Sequence, residues 1–193
     1  MAKRNHAILA INGDYYGAQK SGYVVRNSIV YNSIGKPRPS NPKKEDLAIM
    51  NDGSFELFNE KDVTLEQLTA ANPWQVFCFG PVLVNNYEIM VTSKDEVDVY
   101  TKTGNQRTAI GIVEPLHYVF AVTNGRTEAD YGMSLFEIAQ FMKDKKCKIA
   151  YNLDGGGSST FVFNDKMLNT PLESAQKKGE RAVSDCVYIN REQ

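Results

Sequence analysis

The segment Lys148-Ile-Ala-Tyr-Asn-Leu-Asp-Gly-Gly-Gly-Ser-Ser-Thr-Phe-Val-Phe163 runs from one apolar strand into another through three glycines and three hydroxyl residues. A hairpin turn needs one glycine, to supply positive φ, so the surplus calls for a further reason. Two readings are open. The amides of Gly155, Gly156 and Gly157 could converge as a concave nest for an anion, with Ser158, Ser159 and Thr160 adding donors. Alternatively, the glycines form a bulge that another backbone approaches closely. The residues after the glycines decide the fold class. No lysine is among them, so this is not a Walker loop, and a strand rather than a helix comes next, so it is not a dinucleotide fingerprint. GxSxG is absent as well, which removes a nucleophile elbow.

The same punctuation recurs outward from this segment, at Asn12-Gly13, Asp52-Gly53 and Asn124-Gly125. Asp52-Gly53 lies between apolar runs of matched length and reads as a plain hairpin. Strands are expected at about residues 7–11, 22–31, 47–50, 55–58, 76–79, 82–84, 109–113, 118–122, 148–152, 160–163 and 185–190. Two helices are signalled by capping boxes, Thr64 with Gln67 and Ser134 with Glu137, the second followed by Leu135, Ile138, Ala139 and Met142 on one helical face. Strands outnumber helices without βα alternation. The expected fold is therefore α+β, a mixed and mostly antiparallel sheet with few helices. The chain of 193 residues suits a single domain with its own core. Gly35 to Lys44 reads as an exposed basic loop, and Glu173 to Arg181 as a polar flap.

Composition narrows the function. Lysine and arginine total 22 against 23 acids, for a net charge of -1, so nothing global favours nucleic acid or an anionic membrane. Cys78, Cys147 and Cys186 show neither CxxC nor Cys/His spacing, which suits buried free thiols rather than a zinc site. The longest apolar run, Val76 to Val84, is too short to span a bilayer. With His6 and His117 isolated in sequence, a histidine triad is disfavoured, and acid–base chemistry falls to carboxylates. Asp154 and Asp14 lead, with Asp185 third. Asp14 comes just after a strand end beside Tyr15 and Tyr16, rings suited to stacking on a sugar. Arg107 and Thr108 open an apolar strand, and Arg126 stands at another strand end; the planar guanidinium fork suits phosphate.

Six motifs in order then carry a resemblance: INGDYYG (11–17), FGPVLV (79–84), QRTAIGI (106–112), the strand ending in Asn124-Gly125-Arg126, NLDGGGSSTF (152–161) and ERAVSDCVYI (180–189). Together they resemble the phosphodiester glycosidase family, which includes bacterial exopolysaccharide-biosynthesis-type proteins, and the resemblance covers nearly the whole chain. It implies hydrolysis of a sugar-1-phosphodiester, with Asp154, Asp14 and Arg107 as catalytic residues. It further implies that these share one pocket with Asn12, Gly13, Thr108, Gly155, Gly156, Gly157, Ser158 and Ser159, to which the local reading adds Tyr15 and Arg126 as substrate-binding residues. Asp14 stands where many relatives carry a second glycine, and Asn124 where relatives often carry aspartate. Relatives also place an anchor or signal, strands and a helix before the stretch matching His6 to Gly17. The resemblance therefore implies a piece of a longer, extracytoplasmic protein, secreted or membrane-anchored, whose missing elements another copy could replace.

The expected partner is a phosphorylated carbohydrate or cell-wall glycan, with no nucleic acid and no membrane contact from this segment. No resident metal is assigned. Oxygens of Asp14, Asp154 and Asn12 would suit calcium or magnesium in a metal-assisted phosphodiesterase, the alternative enzyme. A non-catalytic module binding cell-wall or capsular polymer is the alternative outside catalysis.

Overall fold

The computed structural model describes residues 1–18, 22–32, 45–91, 104–174 and 177–191. The expected loop at Gly35 to Lys44 lies outside them. Three antiparallel sheets account for most of the rest. The first has the order β13-β12-β1-β16, with β1 at Ala7–Asn12, β12 at Phe161–Phe163, β13 at Lys166–Met167 and β16 at Cys186–Asn190. The second runs β10-β9-β11-β7-β8: β7 is Val82–Asn85, β8 Glu88–Ile89, β9 Thr108–Glu114, β10 His117–Val122 and β11 Ile149–Leu153. The third runs β3-β2-β6-β4-β5, built from β2 (Val24–Arg26), β3 (Ile29–Asn32), β4 (Asp46–Met50), β5 (Phe55–Phe58) and β6 (Pro73–Phe77). The α+β, mostly antiparallel architecture expected from the sequence is the one observed.

Period-two alternation sets the layers. Ile110 and Ile112 of β9, Ile149, Tyr151 and Leu153 of β11, Leu47 and Ile49 of β4, and Ile11 of β1 share one buried cluster between the sheets. Their neighbours Ala109 and Ala150 turn the other way, onto Leu135, Ile138, Ala139 and Met142 of α2 (Leu135–Asp144). On the third sheet Ala48, Val25 and Val76 face Leu68 of α1 (Leu65–Ala70). Both capping boxes form: Ser134 Oγ accepts from the Glu137 amide at 3.2 Å and Thr64 Oγ1 from the Gln67 amide at 3.2 Å. Burial of Leu135, Ile138 and Met142 of α2 contributes about 1.5–3 kcal/mol each, so packing rather than helix propensity holds it.

Hairpin punctuation differs from the expectation in an instructive way. Asp52-Gly53 does join β4 to β5, with Gly53 at φ 85°. Three other tight hairpins turn at Asn27-Ser28, Asn86-Tyr87 and Asn164-Asp165, where both residues have positive φ and neither is glycine. The single strand expected at 22–31 is therefore two strands, β2 and β3, paired through Asn27-Ser28. Asn12-Gly13, Asn124-Gly125 and Asp154-Gly155 instead mark places where strands end against one another. The polar stretch 173–181 contributes to a small hairpin, β14 (Leu172–Ser174) with β15 (Lys177–Lys178), whose Leu172 is buried.

Candidate active site at the meeting of strand ends

The C-terminal ends of β1 and β11 cross the start of β9. Leu153 pairs with Thr108, and the Asp154 amide donates to the Gly13 carbonyl at 3.2 Å. Asn12 fastens this crossing. Its Nδ2 donates to the Asp154 carbonyl at 2.7 Å, while its Oδ1 accepts from Thr108 Oγ1 at 2.7 Å and from the Thr160 amide at 3.2 Å. Thr108 Oγ1 also lies 3.2 Å from Ser159 Oγ. Asn12, Thr108 and Ser159 are all buried with their polar atoms turned on one another. Their side chains tie the three strand ends together beneath Asp154.

Asp154 stands just beyond this clasp, surrounded by cations. Its Oδ2 accepts from Arg181 Nη2 at 2.9 Å, and its Oδ1 from the Gly155 amide at 2.9 Å. Arg181 also donates to Ser158 Oγ from Nε and Nη2, at 3.0 and 2.8 Å, and its guanidinium lies 5.5 Å from the centre of the Tyr15 ring. Arg126 adopts φ 64° and is held by Asn105 Oδ1 at 2.7 Å and the Glu173 carbonyl at 2.7 Å. Burial, then the neighbouring charge of Arg181, lowers its pKa, with Asp154 opposing.

Arg107 is the most deeply set of the three. Its Nε donates to the Met133 carbonyl at 2.9 Å, whereas Nη2 is buried with no hydrogen-bond partner among the described residues. Burial above all, and the Arg126 charge after it, pushes its guanidinium down to about 10. A desolvated cation whose charged neighbour is another cation is a site prepared for an anion.

The glycines behave differently from a nest. The Gly156 amide donates to the Gln106 carbonyl at 2.8 Å, and the Ser158 and Ser159 amides donate back to the Gly155 and Gly156 carbonyls at 3.3 and 3.0 Å. The Gly155 and Gly156 amides are thus used inside the protein, and the packing of the segment follows the close-approach reading. A Cβ on Gly155 would lie 2.8 Å from the Gln106 carbonyl oxygen, one on Gly157 2.8 Å from Glu173 Cα, and one on Gly156, at φ 61°, within 2.4 Å of Arg126 Nη2. The absence of side chains lets arginine forks and the β14 backbone close over Asp154.

Asp14 is not beside Asp154. It is 1% exposed, and its carboxylate forms an ion pair with Arg26 Nη2 at 3.0 Å while accepting from the Tyr16 amide at 3.0 Å and the Cys78 amide at 3.3 Å. Asp185 contacts the same guanidinium, through Nε at 2.5 Å. The two aspartates expected to work as a pair thus belong to separate clusters on either side of Gly13. With the oxygens of Asp14 and Asn12 already engaged, the residues do not fit the divalent-cation reading; among the described residues no group of three or more His, Cys, Asp or Glu is placed to hold a metal. His117 is exposed, with Nδ1 3.6 Å from Glu114, away from this chemistry.

Sequence reasoning does not single out Arg181, Arg26 or Gln106. Gln106 is fully buried and ties the β14 hairpin down, donating to the Thr170 carbonyl at 2.8 Å and accepting from the Leu172 amide at 3.0 Å. Arg26 does carry a signal, a charged residue at the end of the apolar run Tyr23-Val24-Val25. Arg181 has only its place in the terminal motif.

The order of these strand ends along the chain matches one family model over residues 5–190, and the chain belongs to that family, the phosphodiester glycosidases. Mouse N-acetylglucosamine-1-phosphodiester alpha-N-acetylglucosaminidase is 32% identical over 140 residues, which is 65% of this chain and 27% of the mouse protein. The SPbeta prophage-derived protein YomE of Bacillus subtilis is 24% identical over 193 residues, 98% of this chain and 29% of YomE. The chain spans less than a third of the length of either. In three dimensions it is similar to the catalytic domain of the zebrafish N-acetylglucosamine-1-phosphodiester alpha-N-acetylglucosaminidase, auto-inhibited by its pro-peptide. The TM-score is 0.71 at 22% identity, over 99% of this chain and 66% of that one, which shows a shared fold.

Proposed function

We propose that this chain hydrolyses a sugar-1-phosphodiester, releasing the sugar and leaving the phosphate on its other partner. The observation that carries the reading is Asp154 held by Arg181 with Arg126 in its field, next to a third arginine, Arg107, that is desolvated and uncompensated. Phosphate is a better leaving group than a sugar alkoxide, so protonating it matters less than stabilising the charge it carries away. The arginines supply that stabilisation. Asp154 acts at the anomeric carbon, as nucleophile or as the base that activates water, and Arg181 with Gly155 fixes its orientation. Tyr15, half-exposed beneath Arg181, offers a ring face to the sugar.

N-acetylglucosamine is the first sugar to test, because the mouse and zebrafish relatives are named for its phosphodiester. A cell-surface or exopolysaccharide polymer as substrate, and a setting outside the cytoplasm, rest on the family resemblance. No helix among the described residues is long and apolar enough to cross a membrane. The test is a panel of sugar-1-phosphodiesters, nucleotide sugars included, assayed for free reducing sugar. Wild-type protein should release it, and Asp154→Ala, folded by circular dichroism, should be slower by about 10³-fold or more. Release at the wild-type rate by that variant would contradict the assignment.

A further inference from the structure

Gly13 is a single peptide link between two charged clusters. Its carbonyl accepts from the Asp154 amide at 3.2 Å, and its own amide donates to the Asp185 carbonyl at 3.1 Å. The Asp185 carboxylate is pressed against it so closely that a Cβ on Gly13 would fall 2.2 Å from Oδ1. Any movement of residue 185 is therefore transmitted to the backbone that carries Asp154.

What fixes residue 185 is Arg26. Its guanidinium bridges Asp185 and Asp14, donates to the Val76 carbonyl at 2.5 Å and to the Val25 carbonyl at 2.9 Å, and packs over the Phe77 ring at 4.3 Å and the Tyr16 ring at 5.2 Å. Arg26 belongs to the third sheet and the two aspartates to the ends of the first, so the cluster locks two sheets together. It holds two carboxylates against one cation. The groups facing Asp185 are Arg26, Asp14, Tyr16 and Cys186, and the amino group of Met1 acts on Cys186. Tyr16, Arg26 and Asp185 also line a cavity of about 540 Å³, which gives protons a route to the cluster. Burial first, opposed by Arg26 and reinforced by Asp14, raises the Asp185 carboxyl to about 6.

We propose that Arg26 and Asp185 are positioning residues for Asp154, acting through the Gly13 peptide, and that ionised Asp185 is the form that sets the site. Protonation turns the carboxylate–guanidinium contact into a weaker neutral–charged one, and the strand end at 185 loosens. Both reach Asp154 through the Gly13 backbone and not by side-chain contact with it, so the effect falls on kcat rather than on KM. The proposal rests on the reading of Asp154 given above, and its test separates the two.

The backbone amides of Gly13 and Asp154 are followed by NMR from about pH 5 to 8 in wild type, Asp185→Asn and Arg26→Lys, alongside kcat and KM. In wild type both amides should titrate together with a midpoint near 6. In Asp185→Asn, which retains the shape and cannot ionise, that titration should vanish, with kcat at neutral pH lower by about tenfold and KM within about twofold. Wild-type kcat should fall as pH drops through about 6, and the variant should lack that limb. Should Asp185→Asn not fold, Arg26→Lys, which keeps one charge and cannot bridge both carboxylates, should show the same loss of kcat and a displaced midpoint. Amides that do not titrate in wild type, or an Asp185→Asn protein with wild-type kcat and the limb intact, would overturn the proposal. If the wild type releases no sugar, the functional reading fails and the amide titration alone decides this one.

Discussion

Two charge clusters flank Gly13, and they are unbalanced in opposite senses. On one side Arg181 pairs with the carboxylate of Asp154, Arg126 feels the charge of both, and Arg107 lies desolvated with Arg126 as its charged neighbour. On the other, the lone guanidinium of Arg26 is shared by Asp14 and Asp185. Burial penalises both, yet the consequences differ. The arginine-rich side keeps its excess charge beside a donor, Arg107 Nη2, that has no partner among the described residues, which suits an incoming anion. The aspartate-rich side has its cation shared by two ion pairs that join two sheets, and its excess charge is relieved by a proton. One imbalance serves binding and the other serves architecture.

Removing the cation from each side should therefore have opposite signatures. Arg26→Met leaves two buried carboxylates without their shared partner, and we expect a loss of about 3–5 kcal/mol in thermal or urea unfolding. A stability close to wild type would mean that the cluster is not the lock between sheets. Arg107→Met removes a desolvated cation that no carboxylate compensates, so unfolding stability should be no lower than wild type while kcat/KM falls by about 10²–10³-fold. Strong destabilisation by this variant would place Arg107 with the architecture instead.

The smallest expected effect is on pH dependence. Because the folded-state value of Asp185 is raised to about 6 from 3.8, the native chain takes up its proton before the unfolded chain does. This group's contribution should therefore make the protein more stable as pH falls from about 7 towards 4, by roughly 1–3 kcal/mol, and that gain is lost as pH rises through about 6. Asp185→Asn should flatten this part of the profile. An unchanged slope in the variant would assign the dependence to other groups.

Much of the scaffold is legible in local sequence, and much of the site is not. Ser134 with Glu137 and Thr64 with Gln67 form helices because a capping box is complete within four residues. Asp52-Gly53 forms a hairpin because its flanking strands are matched. Asn27-Ser28, Asn86-Tyr87 and Asn164-Asp165 are harder to see because asparagine tolerates the left-handed conformation without announcing it by a following glycine. The site depends on longer reach. Asp154 and the QRTAIGI arginine stand out as polar groups at strand ends, but the pairing of Asp14 with Arg26 and Asp185, instead of with Asp154, depends on which sheet each strand joins. Spacing along the chain carries no trace of that. The three glycines are conspicuous, but sequence leaves open whether they meet an anion or another part of the chain; the structure brings a guanidinium and two backbones against them.

The central claim is that Asp154 and its arginines direct attack at the sugar's anomeric carbon with phosphate departing. Its most direct test is hydrolysis of a sugar-1-phosphodiester in ¹⁸O-labelled water, with both products examined by mass spectrometry. The label is predicted in the released sugar, with the phosphate unlabelled. Label in the phosphate would show attack at phosphorus and contradict the account.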